Sequence, residues 1–399
     1  ASHNQVMVSG TTTTPTSIQG NVYGGYTESG TANNNSVTIN NNSTINSSVY
    51  AGFTKSGEAS YNKVTVSGSN ASIQGRVYGG YGTLDTSYNT VKLSEGANVG
   101  DDVVGGHSAG DSATSQNVLY NEVTVSSGSR VEGGLYGGVI TEGLGTVQYN
   151  TVNLDNASVG YDVVGGGVLL DAPTGSVENN AVNISAGTVE GSVYGGAFEY
   201  SLANDPGNSD IINNTVSLSE GAVISGSVFG GYSSGIGDVT GNSVTVSDTS
   251  QVDGDVYGGM AEGNNDSNPG SASQNNVRIE SGSTVGGSVY GGWNSNGETT
   301  GNFIYVNGTA SGGVTAGYTL SGDAAGNEVL VEGGTVLDHL YGGYTALGSA
   351  TGNVITVKGG TVNAELVGGY DDGTATNNTV TLYDSASFTG SDIYGGRSG

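Results

Sequence analysis

Apolar residues along this chain come two apart, then six on, then four on, and then give way to stretches rich in glycine, asparagine and serine. Val37 and Ile39 are followed by Ile45 and Val49; Val123 and Val125 are followed by Val131 and Leu135. Pairs of β-branched residues two apart predict short strands with one face buried. No stretch carries the three-to-four spacing of an amphipathic helix. The last member of each set stands before a Tyr-Gly-Gly phrase or its equivalent and is aliphatic in all 14 units, from Val22, Val49 and Val77 to Ile393. Four residues before it lies another, such as Ile18, Ile45, Ile73 and Val99, in 12 of 14 units, with Ala310 and Thr389 as the breaks.

Two phrases alternate through the whole chain, V-Y-G-G-Y and N-x-V/I. The first position after the aliphatic residue recurs every 28 residues or so, from Tyr23 to Tyr394. The asparagines of the second phrase are Asn4, Asn35, Asn62, Asn89, Asn121, Asn150, Asn180, Asn214, Asn242, Asn275, Asn302, Asn327, Asn353 and Asn378. From each Asn to the following aromatic position the distance is 13 to 16 residues in every unit but the first, whereas the return interval varies from 11 to 20. Pro173, Pro206 and Pro269 fall in that variable interval, outside the patterned strands, as expected where a ladder needs every N–H. A unit of this size cannot bury an apolar face alone, but stacked on copies of itself it can. The predicted fold is therefore all-β: a right-handed parallel β-helix (β-solenoid) of about 14 coils, spanning residues 1–399 as a single domain. At one strand spacing of ~4.8 Å per coil, it would be roughly 67 Å long. Because both ends fall within the repeat pattern, the chain reads as a fragment or uncapped subunit of a longer assembly.

This placement changes the meaning of a composition that otherwise borders on disorder. Glycine makes up 74 of 399 residues, and Val, Ile, Leu and Phe only about a fifth, close to the ~20% found in disordered chains. The Gly-Gly of each unit suits a tight corner, needing φ > 0 or close backbone approach. The repeated asparagines from Asn35 to Asn378 suit a structural ladder of stacked amides, hydrogen-bonded from coil to coil. The formal charge of −28, with only 8 Lys and Arg, excludes nucleic acid as a partner and suits a solubilising surface. There is no cysteine for a disulfide or a Cys-based metal site, and no apolar run approaches the ~20 residues of a membrane helix.

Candidate catalytic chemistry is thin. Two G-x-S-x-G phrases, Gly106–Gly110 around Ser108 and Gly231–Gly235 around Ser233, lack the strand–turn–helix setting of a nucleophile elbow. His3, His107 and His339 lie in distant units and read as lone surface side chains. Asp102, Asp162, Asp255, Glu365 and Asp392 share the position two residues before the aromatic, but only Glu365 and Asp392 fall in neighbouring units. Paired-carboxylate glycosidase chemistry needs a defined separation and split environments, so these read as surface charges. The expectation is no enzyme, no catalytic residue, no metal site and no cofactor, with scattered Ca²⁺ bound by Asp pairs left open. The outward residue of the N-x-V-x-V strand is threonine in only six of 14 units, against a flat ice-binding plane.

The aromatic columns are the best binding candidates. The first is aromatic in 10 of 14 units, and three of its four exceptions are valine, which suggests burial or stacking. The second contains Tyr26, Phe53, Tyr81, Tyr232, Trp293, Tyr318, Tyr344 and Tyr370, and varies freely elsewhere, which suggests partial exposure. Rings give large contact area at low entropic cost, so this ladder could bind glycans or a protein partner.

The phrases N-S-V-T-V … V-D-G-D-V-Y-G-G (from Asn242 to Gly259) and G-N-V-I-T-V (from Gly352) resemble the passenger domains of bacterial type V autotransporters. The resemblance covers the chain and implies a secreted, β-helical, cysteine-poor adhesin-like protein; it carries over no catalytic residue. The expected function is adhesion or self-association at the bacterial cell surface, by a rigid rod with variable loops at residues 198–212 and 260–273. The partners would be the chain itself, laterally or head to tail, or glycans and surfaces of host or neighbouring cells. Alternatives are an extracellular filament subunit stacking head to tail and a polysaccharide-binding or polysaccharide-cleaving β-helix.

Overall fold

A computed structural model describes residues 1–11, 13–110, 115–171, 174–199, 208–263, 270–363 and 365–398. Pro173, Pro206, Pro269 and the middles of the two candidate loops, residues 200–207 and 264–269, lie outside the described residues. The chain is all-β, without a helix among the described residues, and forms a parallel β-solenoid of about 13 turns with a repeat of about 28 residues. It divides into two compact units, Ala1–Leu202 and Ala203–Gly399.

In the first unit each coil contributes a five-residue strand, a two- or three-residue strand, and a longer strand carrying the Tyr-Gly-Gly phrase. In the second coil these are Ser36–Asn40, Ser43–Ile45 and Val49–Thr54. Every strand pairs in parallel with its equivalent one coil on: Val37 sits opposite Val64, Ile45 opposite Ile73, and Tyr50 opposite Tyr78. The second unit repeats the scheme, with Val244 opposite Val277 and Tyr257 opposite Tyr290. A fourth, smaller sheet runs through the variable interval, for example Ser115–Leu119 beside Leu144–Gln148.

The period-two pairs face inward: Val37, Ile39, Ile45 and Val49 are fully buried, as are their counterparts in the next coils. Each such side chain stabilises the coil stack by roughly 1.5–3 kcal/mol relative to exposure. Of the two breaks in the aliphatic column, Ala310 does occupy it, paired with Val285 and fully buried. Thr389 does not. The register puts Phe388 opposite Val362, one residue earlier than spacing implied, so an aromatic continues the column.

Inside this core runs the asparagine ladder. Asn35 donates from both its backbone N and its Nδ2 to Asn62 Oδ1, each at 3.0 Å; Asn62 does the same to Asn89. The chain of amides continues through Asn121, Asn150 and Asn180, and in the second unit from Asn214 to Asn378. The remaining Nδ2 hydrogen goes to a carbonyl of the preceding coil, as from Asn150 to Val118 O at 2.8 Å. A primary amide has two donors and two acceptor sites, and here all four are used. That is why a polar side chain can sit in the core at 1% exposure or less.

The ladder also explains the second glycine of each pair. A Cβ on Gly138 would lie 2.7 Å from the Asn150 amide carbon, nitrogen and oxygen. The first glycine faces the next coil instead: a Cβ on Gly24 would lie 2.5 Å from Ala51 O. Neither is a corner. Both lie within strands such as Val22–Thr27, and neither has the left-handed backbone expected for a tight turn. Close approach is what requires glycine here. The first site accommodates Ala51 and Ala316; the second is glycine in all 14 units.

Candidate functional site

The paired glycines set up the aromatic face. In a regular strand, residues three apart point to opposite sides. In Val49–Thr54 the burial order is in, out, in, in, out, in, so Tyr50 and Phe53 project on the same outer face, as do Tyr23 and Tyr26 one coil earlier. The Tyr23 and Tyr26 rings meet edge to face at 5.3 Å. Two adjacent columns result. Tyr23, Tyr50 and Tyr78 stack at 5.1 and 5.0 Å; Tyr26, Phe53 and Tyr81 stack at 5.4 and 5.1 Å. In the second unit Phe229, Tyr257 and Tyr290 stack at 4.9 and 5.0 Å, and Trp293, Tyr318, Tyr344 and Tyr370 follow in the other column at 6.0, 4.9 and 5.0 Å. Tyr232 donates to Glu262 at 2.7 Å. Of the eight residues in the second column, Tyr26 is the most open, at 41% exposure.

Burial raises the phenol pKa values of the more covered tyrosines in this face. Tyr78 and Tyr136 are pushed up to about 12, chiefly by desolvation, and Tyr257 is raised further by Asp255 beside it.

The carboxylates two residues before the aromatic have a structural task. Asp102 Oδ1 accepts the backbone N–H of Gly134 at 2.9 Å, Asp162 that of Ser192 at 2.7 Å, and Asp255 that of Ser288 at 2.7 Å. Each caps an N–H of the next coil, as Asn21 does for Ser48 at 3.0 Å. Glu365 instead accepts from Tyr341 Oη at 3.0 Å and pairs with Arg397, while Asp392, in the next coil, is exposed. The two serines of the G-x-S-x-G phrases face the core: Ser108 is fully buried and donates to Leu84 O at 2.7 Å, and Ser233 is fully buried beside the N–H of Gly235.

His107 corrects its reading as a surface side chain. Its Nε2 lies 3.0 Å from Thr141 Oγ1, its ring packs on Tyr81 at 4.8 Å, and burial lowers its pKa to about 4. Among the described residues no three His, Cys, Asp or Glu side chains come together to hold a metal ion, and no helix is long and apolar enough to cross a membrane.

A further aromatic column escapes sequence reasoning. The residue just before the ladder Asn has a left-handed backbone in all 14 coils, with φ from 55° to 69°. Asparagine or glycine, which tolerate that conformation, fill eight of these positions, including Asn34, Asn179 and Gly241. Four successive coils carry tyrosine instead: Tyr61, Tyr88, Tyr120 and Tyr149, at φ 59°, 58°, 55° and 57°. Their rings stack at 4.8, 5.0 and 4.9 Å, and each is 44–55% exposed. The recurring Asn or Gly before the ladder Asn was the available signal. It marks a backbone requirement, and against it the four tyrosines stand out.

No known protein family matches the chain, and no curated protein matches it.

Proposed function

We propose that this chain is an extracellular bacterial surface β-solenoid that acts in adhesion or self-association through exposed aromatic stripes. The observation that carries the reading is the stack Tyr61–Tyr88–Tyr120–Tyr149. A left-handed backbone costs a bulky L-residue about 1–2 kcal/mol. Each ring stack offsets about 0.5–1.5 kcal/mol. At the middle of these ranges three stacks return about half of what four strained residues cost, before the area the rings cover is counted. Neighbouring coils meet the same backbone need with Asn or Gly, and that is what supports a contact role for these rings.

The stacked rings present their edges and one phenol hydroxyl per coil, a narrow amphipathic strip suited to protein or glycan surfaces. The surrounding charge of −28 disfavours indiscriminate contact and leaves such strips as the sticky elements.

The test is a variant with Tyr61, Tyr88, Tyr120 and Tyr149 all changed to Asn. Light scattering across a concentration series and binding to bacterial and host cells should show contact for the parent chain and its loss in the variant. Equal association and equal cell binding by the two proteins would overturn the proposal.

A further inference from the structure

The four coils that carry the exposed tyrosines also carry charge on the strand that follows. Tyr61, Tyr88, Tyr120 and Tyr149 each stand two residues before a strand: Lys63–Ser67, Thr90–Ser94, Glu122–Ser126 and Thr151–Asp155, in coils 3 to 6. The outward side chains of these strands include one charge per coil, Lys63, Lys92, Glu122 and Asp155, all exposed. The same face is uncharged in the coils on either side, where Ser36, Thr38 and Asn40 precede the patch and Ala181, Asn183 and Ser185 follow it.

These charges are not spent on one another or on the rest of the chain. Among the described residues, the other six Lys and Arg side chains each pair with a carboxylate, and Lys63 and Lys92 do not. Glu122 accepts from Thr124 Oγ1 and Asn153 Nδ2 at 3.4 Å each, without a cation. In a chain of formal charge −28, the four charges sum to zero, so a partner meets no local excess of negative charge here.

Their order is self-complementary. From coil 3 to coil 6 the signs run plus, plus, minus, minus. Turning the patch over about a two-fold axis that lies between coils 4 and 5, parallel to the strands, brings each sign to the level of its opposite. Two-fold contacts of this kind use the same surface on both copies.

We propose that the tyrosine stripe and this charged face dock antiparallel onto a second copy of the chain, about that axis. The inference rests on the reading of the stripe as a contact surface and names its partner. Thr90 lies opposite Lys63, and Lys92 is two residues along the same strand. Glu122 of the second copy lands over Thr90. In the plane of the sheet it is then one strand spacing, ~4.8 Å, from Lys63 and roughly 6.6 Å from Lys92, both within reach of a lysine stem. Asp155 of the second copy lands level with coil 3, diagonal to Lys92. The rings follow: Tyr61 meets Tyr149 of the second copy, and Tyr88 meets Tyr120. The ring spacing of 4.8 to 5.0 Å is the coil spacing, which a second coil stack matches at every step. A parallel pair would carry the two charged faces to opposite sides of the contact, where neither meets the other. The contact spans four coils, ~14 Å, so the dimer should be weak.

The experiment is sedimentation of the intact chain over a concentration series, beside two charge-reversed variants. One carries Lys63→Glu and Lys92→Glu, the other Glu122→Lys and Asp155→Lys. The parent should show a monomer–dimer equilibrium. Each variant alone should dimerise at least about tenfold more weakly, because like charges then face one another. Mixed one to one, the two variants should associate at least as tightly as the parent, which also shows that both fold. A parent that stays monomeric, dimerisation unaffected by either reversal, or no recovery on mixing would overturn the proposal. If the parent stays monomeric but its cell binding is lost in the variant with all four tyrosines changed to Asn, the stripe remains a contact surface and only the second copy is removed as its partner. If that variant dimerises and binds cells as the parent does, the stripe itself is removed.

Discussion

Changing Asn150 to Ala should be among the most costly single substitutions on the inward face of the first unit. The side chain makes four hydrogen bonds. Its Oδ1 accepts from Asn121 N at 3.0 Å and Asn121 Nδ2 at 2.8 Å; its Nδ2 donates to Val118 O at 2.8 Å and Asn180 Oδ1 at 2.9 Å. Truncation strands two buried donors on Asn121, each at about 1–3 kcal/mol, and leaves two acceptors short of a donor. The expected cost is about 3–6 kcal/mol, read from urea unfolding and from amide exchange at Asn121. Gly138→Ala supplies an internal check, because its new Cβ would sit 2.7 Å from the Asn150 amide. Alone it should be severely destabilising. Combined with Asn150→Ala, the methyl gains the space vacated by the amide, so the double variant should be more stable than the sum of the two losses by at least about 1 kcal/mol. A cost below about 1 kcal/mol for Asn150→Ala, or strict additivity in the cycle, would refute the reasoning that one amide column dictates both the buried polar residue and the glycine.

Two predictions concern pH. The His107 pKa is about 4 in the fold and near 6.5 when unfolded, so the unfolded chain binds the extra proton between those values and stability falls as pH drops from about 6.5 to 4. Over that window the parent should lose about 3 kcal/mol more than His107→Val, measured by paired denaturant titrations; parallel pH profiles would contradict it. At the alkaline end, Tyr78 and Tyr136 ionise at about 12 in the fold but near 10 when unfolded, so stability is held below pH 10 and lost as pH rises toward 12. Phenolate absorbance should therefore include a late fraction that appears together with loss of β-sheet circular dichroism; all 23 tyrosines ionising near pH 10 with the sheet intact would count against it.

What was legible in the sequence is what repeats as a side-chain type. Val37 with Ile39, the aliphatic residue before each Tyr-Gly-Gly, and the spaced asparagines fix strands, inward faces and a parallel stack, because every coil must present the same chemistry to the next. Conformation and contact were less legible. Gly-Gly reads equally well as a turn or as a close approach, and only the position of Asn150 beside Gly138 distinguishes them. His107 shares the intermediate exposure of most rings in its column, and nothing in its spacing marks its contact with Thr141 or its packing on Tyr81. The carboxylates at Asp102, Asp162 and Asp255 look like surface charge until the N–H groups of the next coil are placed against them. Thr389 satisfies a count of residues, but a one-residue shift puts Phe388 in its place, because register is set by what packs and not by distance along the chain.

A surface built for adhesion or self-association requires that Tyr61, Tyr88, Tyr120 and Tyr149 be carried for contact and not for the fold. The melting temperature of the variant with all four changed to Asn tests it. An unchanged or higher value than the parent's is the result expected from relief of four left-handed tyrosines. A fall of several degrees would show that the stack belongs to the fold, and the tyrosines would then give no support to a surface built for adhesion or self-association.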